Sequence, residues 1–385
     1  MNNFLSIGSV FQYIGYILLA IVVLLFMILI HELGHYTAGK ILKFKIDEFS
    51  GGFGPKILQK TKKDGQKVTL RLFPLGGYCA FAGENEDGTE TENSFNKQPV
   101  WKRLIVMFCG AFFNFLSAIV FSFILLMANG YEFYEFKTIA ETSIVANTVQ
   151  VGDVIYGVNG TNVDFVNDNI LQYIIADDYA EYKGEDITTE HKIETGTTTR
   201  YLVTEDINLK VKRDGKFKDV PTKVNIVYDE QGNYLQFTFF RDEYSEDDEV
   251  VVALHQFGLG EALINCVPFT CRWVWKILKI FGQLLTGQLD IKNLGGPVTT
   301  IKMMATATQQ NFAVLLVLIP VISVNLAVFN LLPIPALDGF QMIFLIIEAV
   351  RRKPVKREVI NAINNIGLIV LLLFVATVDI LQFVL

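Results

Sequence analysis

His31, Glu32 and His35 are the residues of this chain whose types and spacing could do chemistry. On a helix, positions four apart lie one turn above each other on a single face, so both imidazoles point the same way with the carboxylate beside them. In this H-E-x-x-H pattern two imidazoles hold a zinc ion, and the carboxylate takes a proton from the water that attacks a carbonyl. The triplet closes an apolar run, LLFMILIHELGHYTAGK from Leu24 to Lys40, where ionisable groups are costly and usually functional. A set of groups that merely marks a membrane interface or bonds to neighbouring helices is the plain alternative.

A third ligand has to come from elsewhere. From Phe312 to Val350 the chain is apolar for twice the length of one span, interrupted by NLLPIPALDG (330–339). Pro333 and Pro335 break the helix there, which a membrane tolerates only where the backbone is buried in protein or lines a polar cavity. Asp338 is the carboxylate in that break and so the natural third ligand; capping the following helix is compatible with ligation.

The elements that must position these groups are membrane helices. Of 385 residues 51% are hydrophobic and 31 are Phe, with mean hydropathy +0.37, too apolar for an ordinary soluble protein. Four spans are expected: the first through residue 42, carrying HELGH; 104–129; one broken segment over 311–350; and one near 366–385. The first has no basic residue before it and no small-residue cleavage site after it, and reads as a span rather than a signal peptide. The cysteines Cys79, Cys109, Cys266 and Cys271 form no C-x-x-C pair.

Charge sets the expected orientation. Residues 40–103 carry twelve Lys and Arg, and RRKPVKR (351–357) follows the third span, so both are expected on the cytoplasmic side, with the termini outside and the histidines toward the cytoplasmic leaflet. Within the first loop, GGFGPKIL and QKVTLRLFPLGGYCAF read as extended, and an apolar hairpin over 66–80 is positioned to dip into the bilayer or to lie on its surface. Residues 131–250 hold 25 acidic against 11 basic residues and no run of spanning length, a soluble β-rich domain over 130–257. There GDVIYGVNG and the later INLKVKRDGKF have the strand, turn, strand texture of a PDZ fold, with 167–205 as an insertion; a plain β-rich spacer is the alternative. Residues 258–310 read as an extracytoplasmic interfacial helix and linker. Arg272, Lys276 and Lys279 share one helical face, and Trp273 and Trp275 are candidate anchors.

HELGH, the GFGPKI stretch, FPLGGYCAFAGE, SFNKQPVWKRLIVMFCGAFFNF, GDVIYGVNG, IKNLGGPVTT and NLLPIPALDG together resemble the site-two protease family of intramembrane zinc metalloproteases, most closely the bacterial regulator-of-sigma type. The resemblance implies a polytopic α-helical membrane protein with a membrane-associated β-hairpin and an extracytoplasmic PDZ-like domain. It implies one Zn²⁺ held by His31, His35 and Asp338, with Glu32 catalytic, in a bacterial inner membrane. It further implies that Asn330 and Asn114 hold substrate or shape the site, and that the hairpin, with Leu70, Leu72, Gly76 and Gly77, meets substrate. Expected substrates are single-pass membrane proteins such as an anti-sigma factor, or a remnant signal peptide; no nucleic acid partner is expected. Three departures stand out: LDGF with Phe340 in place of LDGG, Ala111 where a proline is common after Gly110, and a single PDZ core where two are common. A catalytically inactive scaffold or chaperone would share the spans but gives no reason for Glu32 beside paired histidines, and a metal transporter would put its ligands across several spans and mid-membrane, whereas the basic loops place these off-centre.

Overall fold

A computed structural model describes residues 7–84, 92–139, 143–162, 192–195, 198–228, 234–239, 249–287 and 295–384. The chain forms two compact units, one of Met1–Leu125 with Gly260–Leu385 and one of Leu126–Leu259.

The first unit is helical. Its helices are α1 (Ile7–Ile41), α2 (Val100–Ala128), α3 (Leu259–Leu285), α4 (Pro297–Gln310), α5 (Phe312–Leu331), α6 (Asp338–Arg351) and α7 (Arg357–Val384). Four of them, α1, α2, α5 and α7, are long and apolar enough to cross a membrane. Their outer faces carry large exposed apolar side chains, among them Phe11, Leu18, Val22 and Phe26 on α1 and Ile369, Leu372 and Leu373 on α7, a surface that suits lipid and not water. The third span is broken as the two prolines require. α5 ends at Leu331, residues Leu332–Leu337 make the turn with Ala336 at φ 75°, and α6 restarts at Asp338. Gly339 fits because a Cβ there would lie 2.3 Å from the Leu331 carbonyl oxygen, and Gly367 of α7 leaves room for Pro335.

Two expectations for 258–310 are corrected. α3 does not lie across the ends of the spans. It packs along α2 and α5, from Thr270 and Ser122 (hydroxyls 3.0 Å apart), past Ile277 against Ala118, to the Phe281–Phe329 ring contact. Its apolar face (Ala262, Cys266, Phe269, Ile277) finds protein to bury against, while Lys276 rests over the Trp273 ring. Trp273 packs inward and only Trp275, 70% exposed, stands outward as an anchor would. The expected linker contains α4, whose Met304 is buried against Ala20 and Met27 of α1. α4 begins at Gly296–Pro297, and its first amides, Val298 and Thr299, donate to Asp379 of α7, a cap supplied from another helix.

Between α1 and α2, β1 (Ile46–Thr61) and β2 (Lys67–Phe81) form the expected hairpin, longer than 66–80. Residues 48–51 of β1 lie between two parts of β2, with 67–70 on one side and 77–80 on the other, while 58–61 cover the far side of 67–70. Arg71 stitches the layers, bonding Ser50, Glu48, Tyr78 and the Gly54 carbonyl. The hairpin runs along α1 from Gly39, against Phe81, to Leu29, against Gly51 and Gly77. Phe53, Ile57, Leu58, Leu72 and Phe73 are left exposed.

The second unit is an antiparallel sheet in the order β10 (Glu249–His255), β3 (Tyr131–Thr138), β4 (Val154–Val158), β7 (Thr198–Arg213), β8 (Lys216–Tyr228), β9 (Tyr234–Thr238), with β5 (Thr161–Asn162) on β4 and β6 (Lys192–Thr195) on β7. Ile155, Leu209, Val211, Val224, Ile226 and Phe239 form its core. The GDVIYGVNG residues are explained locally. Asp153 is buried in an ion pair with Arg213, and Asn159 and Gly160, at φ 49° and 80°, make the turn into β5. Most of the inserted segment expected at 167–205 lies outside the described residues.

Candidate metal centre

α1, α2 and the α5–α6 break meet around the two histidines. His31 Nε2 and His35 Nε2 lie 3.1 Å apart, and Asp338 Oδ2 lies 3.0 and 3.2 Å from them. Both rings are buried, at 8% and 6% exposure. His35 Nδ1 donates to the Val106 carbonyl at 2.8 Å, which leaves its Nε2 lone pair facing the aspartate. Asp338 is the first residue of α6 and not its cap, the preceding Leu337 making no side-chain capping bond. Its Oδ2 is buried and accepts no hydrogen bond of ordinary geometry although two ring nitrogens stand within 3.2 Å. Two ring nitrogens and a carboxylate oxygen that converge this closely, all buried or nearly so, form a donor set for a cation. Tetrahedral zinc with ligands at about 2.0–2.1 Å spaces them roughly 3.3 Å apart, close to the triangle found here. Two imidazoles and a carboxylate are also the donor set of a zinc site with a position open for chemistry.

The close approach depends on glycines. A Cβ on Gly110 would lie 2.4 Å from His35 Nε2 and 2.7 Å from His31 Cε1, and one on Gly34 would lie 2.2 Å from the Cys109 carbonyl oxygen. Small residues here let α1 and α2 touch backbone to backbone. Asp338 is held from the far end of α6, where Glu348 accepts both arms of Arg103 from α2 at 3.1 and 2.5 Å, while Arg103 Nε donates to the Gln98 carbonyl. Gly34, Arg103 and Glu348 were given no role from sequence, yet Arg103 and Gly110 share one face of α2 with Asn114, spaced seven and four apart, a detectable signal.

Glu32 is part-exposed and lies against β2. Its carboxylate accepts from the Cys79 backbone amide, and its Cγ is 3.4 Å from where a Gly77 side chain would begin. Gly77 thus keeps the approach to Glu32 clear. Gly76, at φ 136°, takes a conformation closed to other residues, with the Phe53 ring in the place of its side chain. Leu70, itself exposed, lines an open groove with Leu29, Phe49, Leu58 and Val68, one turn of α1 from Glu32. Leu72 is 52% exposed on the hairpin surface and is not brought to the site. Asn114 and Asn330 both place Nδ2 at 3.4 Å from His31 Nδ1. Asn330 is part-exposed, whereas Asn114 is fully buried and offers no surface to a substrate. Of its two expected roles, shaping the site is the one its position serves. Just below, burial pushes the Glu84 carboxyl up to about 7 despite a hydrogen bond from the Phe81 amide.

A model of peptidase family M50 matches residues 19–374. Similar proteins, aligned over most of their length, are named as candidate zinc metalloproteases. One from Fusobacterium nucleatum is 30% identical over 368 residues, covering 94% of this chain and 97% of the relative. One from Brucella suis is 28% identical over 389 residues (97% and 96%), and one from Clostridium perfringens 28% over 360 (93% and 95%). With a family match over nearly the whole chain and a donor set that suits the metal, the chain belongs to peptidase family M50, a metalloprotease family whose cofactor is zinc.

Proposed function

We propose that the chain is an intramembrane zinc endopeptidase that hydrolyses peptide bonds within or beside the transmembrane helix of single-pass membrane proteins. The observation that carries the reading is where the triad sits. His31 is ten residues before the end of α1, about 15 Å along the helix axis, so the centre lies well inside the span. The distance from Asp338 to Glu348 along α6, about 15 Å, is close to the roughly 16 Å from Arg103 to Asn114 along α2, which supports a single broken span carrying Asp338 to this depth.

Zinc held by His31, His35 and Asp338 would supply a Lewis acid that polarises the scissile carbonyl and makes water a better nucleophile. Glu32 would serve as general base toward the attacking water and return the proton to the leaving amine. Asn330, part-exposed beside His31, donates to the oxygen on which charge develops. A helical substrate hides its carbonyls in its own hydrogen bonds and must unwind first. The edge of β2 offers replacements. The strand-addition edge is 77–80, not the whole of 66–80, because 67–70 is covered on both sides. The outward amides of Cys79 and Phe81 are already taken by Glu32 and Glu84, so by the two-residue alternation of a strand the next outward position is Gly77.

In the same reading the protein is a multi-pass protein of the bacterial inner membrane. The basic loops 40–103 and 351–357 are cytoplasmic, and the termini and the sheet unit, a PDZ-like filter for substrates, are outside. The hairpin dips into the bilayer with Phe53, Leu72 and Phe73 outward. The test is to purify wild type and Glu32→Gln in detergent, measure zinc, and identify membrane peptides that accumulate in cells carrying the variant. Equal zinc, with accumulated peptides that the wild type then cuts, is expected. A zinc-loaded Glu32→Gln with an unchanged membrane peptide profile would favour the inactive scaffold.

A further inference from the structure

The two asparagines that touch His31 face one nitrogen that can bond only one of them well. With Nε2 turned to Asp338 and His35, a ring that holds zinc through Nε2 must carry its proton on Nδ1, and Nδ1–H needs an acceptor. Yet at 3.4 Å both Asn114 and Asn330 present Nδ2, a donor, to that nitrogen. That arrangement suits the other tautomer, in which Nε2–H donates to Asp338 and Nδ1 accepts. Asn114, unlike the part-exposed Asn330, is fully buried, and its Oδ1 is buried without a partner on an amide already in contact with Nδ1. Half a turn about Cβ–Cγ exchanges the two atoms in almost the same volume. The exchange leaves the number of unpartnered amide atoms unchanged and removes a donor facing a donor.

We infer that Asn114 is the positioning residue of the zinc ligand His31: its Oδ1 accepts the Nδ1 proton when zinc is held, and Asn330 is thereby left free to serve the substrate. Asn114 is itself braced for the task. Its backbone carbonyl accepts from both Ser117 and Ser323, each at 2.8 Å, and the second bond ties α2 to α5. Side chains are therefore divided by exposure, the buried asparagine for the ligand and the part-exposed one for the reacting chain. This inference rests on the zinc site alone and not on the identity of the substrate.

Zinc affinity tests it, measured by chelator competition on the purified full-length protein together with the visible spectrum of the Co²⁺ form. Asn114→Leu removes the acceptor at similar volume and is expected to weaken zinc about 10- to 100-fold, the usual effect of losing a partner behind a metal-bound histidine. Asn114→Asp keeps an acceptor oxygen and is expected to hold zinc at least as tightly as wild type, with a shifted Co²⁺ spectrum. A purely structural asparagine predicts the reverse, because a buried charge would be the worse replacement. Asn330→Ala is expected to leave zinc affinity within about threefold while lowering cleavage, since it lies outside the ligand's support. Wild-type zinc affinity in Asn114→Leu, weaker binding in Asn114→Asp, or zinc loss confined to Asn330→Ala would each overturn the assignment. Should Asn114→Leu fail to fold, Asn114→Asp and Asn330→Ala still decide it.

Discussion

Gly110→Ala isolates the contact on which the metal centre depends. The added Cβ would meet His35 Nε2 at 2.4 Å, His35 Cε1 at 2.6 Å and His31 Cε1 at 2.7 Å, all ring atoms of two zinc ligands, against the 3.4 Å or more of an ordinary contact. The imidazoles must retreat by about 1 Å, or α2 must withdraw from α1. Zinc ligands tolerate displacements of about 0.2 Å. Withdrawal of α2 breaks the His35–Val106 bond and opens the Gly34–Cys109 contact, so neither escape is free. Overpacking by one methyl group costs about 1–3 kcal/mol. If the cost falls on metal binding, at about 1.4 kcal/mol per factor of ten, zinc affinity drops roughly 5- to 150-fold. Chelator competition against the purified protein reads this directly. Gly282→Ala is the control, since nothing lies within 4 Å of its Cβ. A Gly110→Ala protein with zinc affinity and cleavage equal to the control would refute the argument that the backbone of α2 forms the floor of the site.

Two further outcomes follow from the support around the site. Arg103→Ala leaves Glu348 partly buried without its partner and should destabilise the protein by about 3–5 kcal/mol, as broken buried pairs do. The swap Arg103→Glu with Glu348→Arg should recover only part of that, because Arg103 also holds the Gln98 carbonyl; thermal unfolding in detergent measures both, and full recovery would contradict the role of that bond. Glu84 gives a pH dependence. Its carboxyl is raised from 4.5 to about 7 by burial, so the folded state binds the proton more tightly than the unfolded one, and stability should fall as pH rises from about 4.5 to 7. Zinc-free Glu84→Gln, followed by thermal unfolding across that window, should lack this component of the decline, and an identical slope in both proteins would refute it.

Much of the site was legible because its signals are local. H-E-x-x-H needs only the helical period to bring His31 and His35 together, and two prolines suffice to predict a break in an apolar run at Asp338. Long-range packing decided other features. Whether α3 lies flat or stands against the spans turned on finding Ser122, Ala118 and Phe329 opposite its apolar face, which no window of sequence contains. Leu70 and Leu72 share the alternation that marks the hairpin, but only the register shows that 67–70 is covered on both sides and that the edge toward Glu32 is 77–80.

The sequence by itself determined which groups are chemically competent and which segments are apolar enough for lipid, because residue type and period are properties of the chain. The tertiary structure decided which groups meet. The 3.0 Å approach of Asp338 to His31 spans 307 positions of chain and depends on absent side chains at Gly34, Gly110, Gly339 and Gly367. Where a missing methyl group permits contact, its reason lies in the neighbour, and the neighbour is known only once the helices are packed.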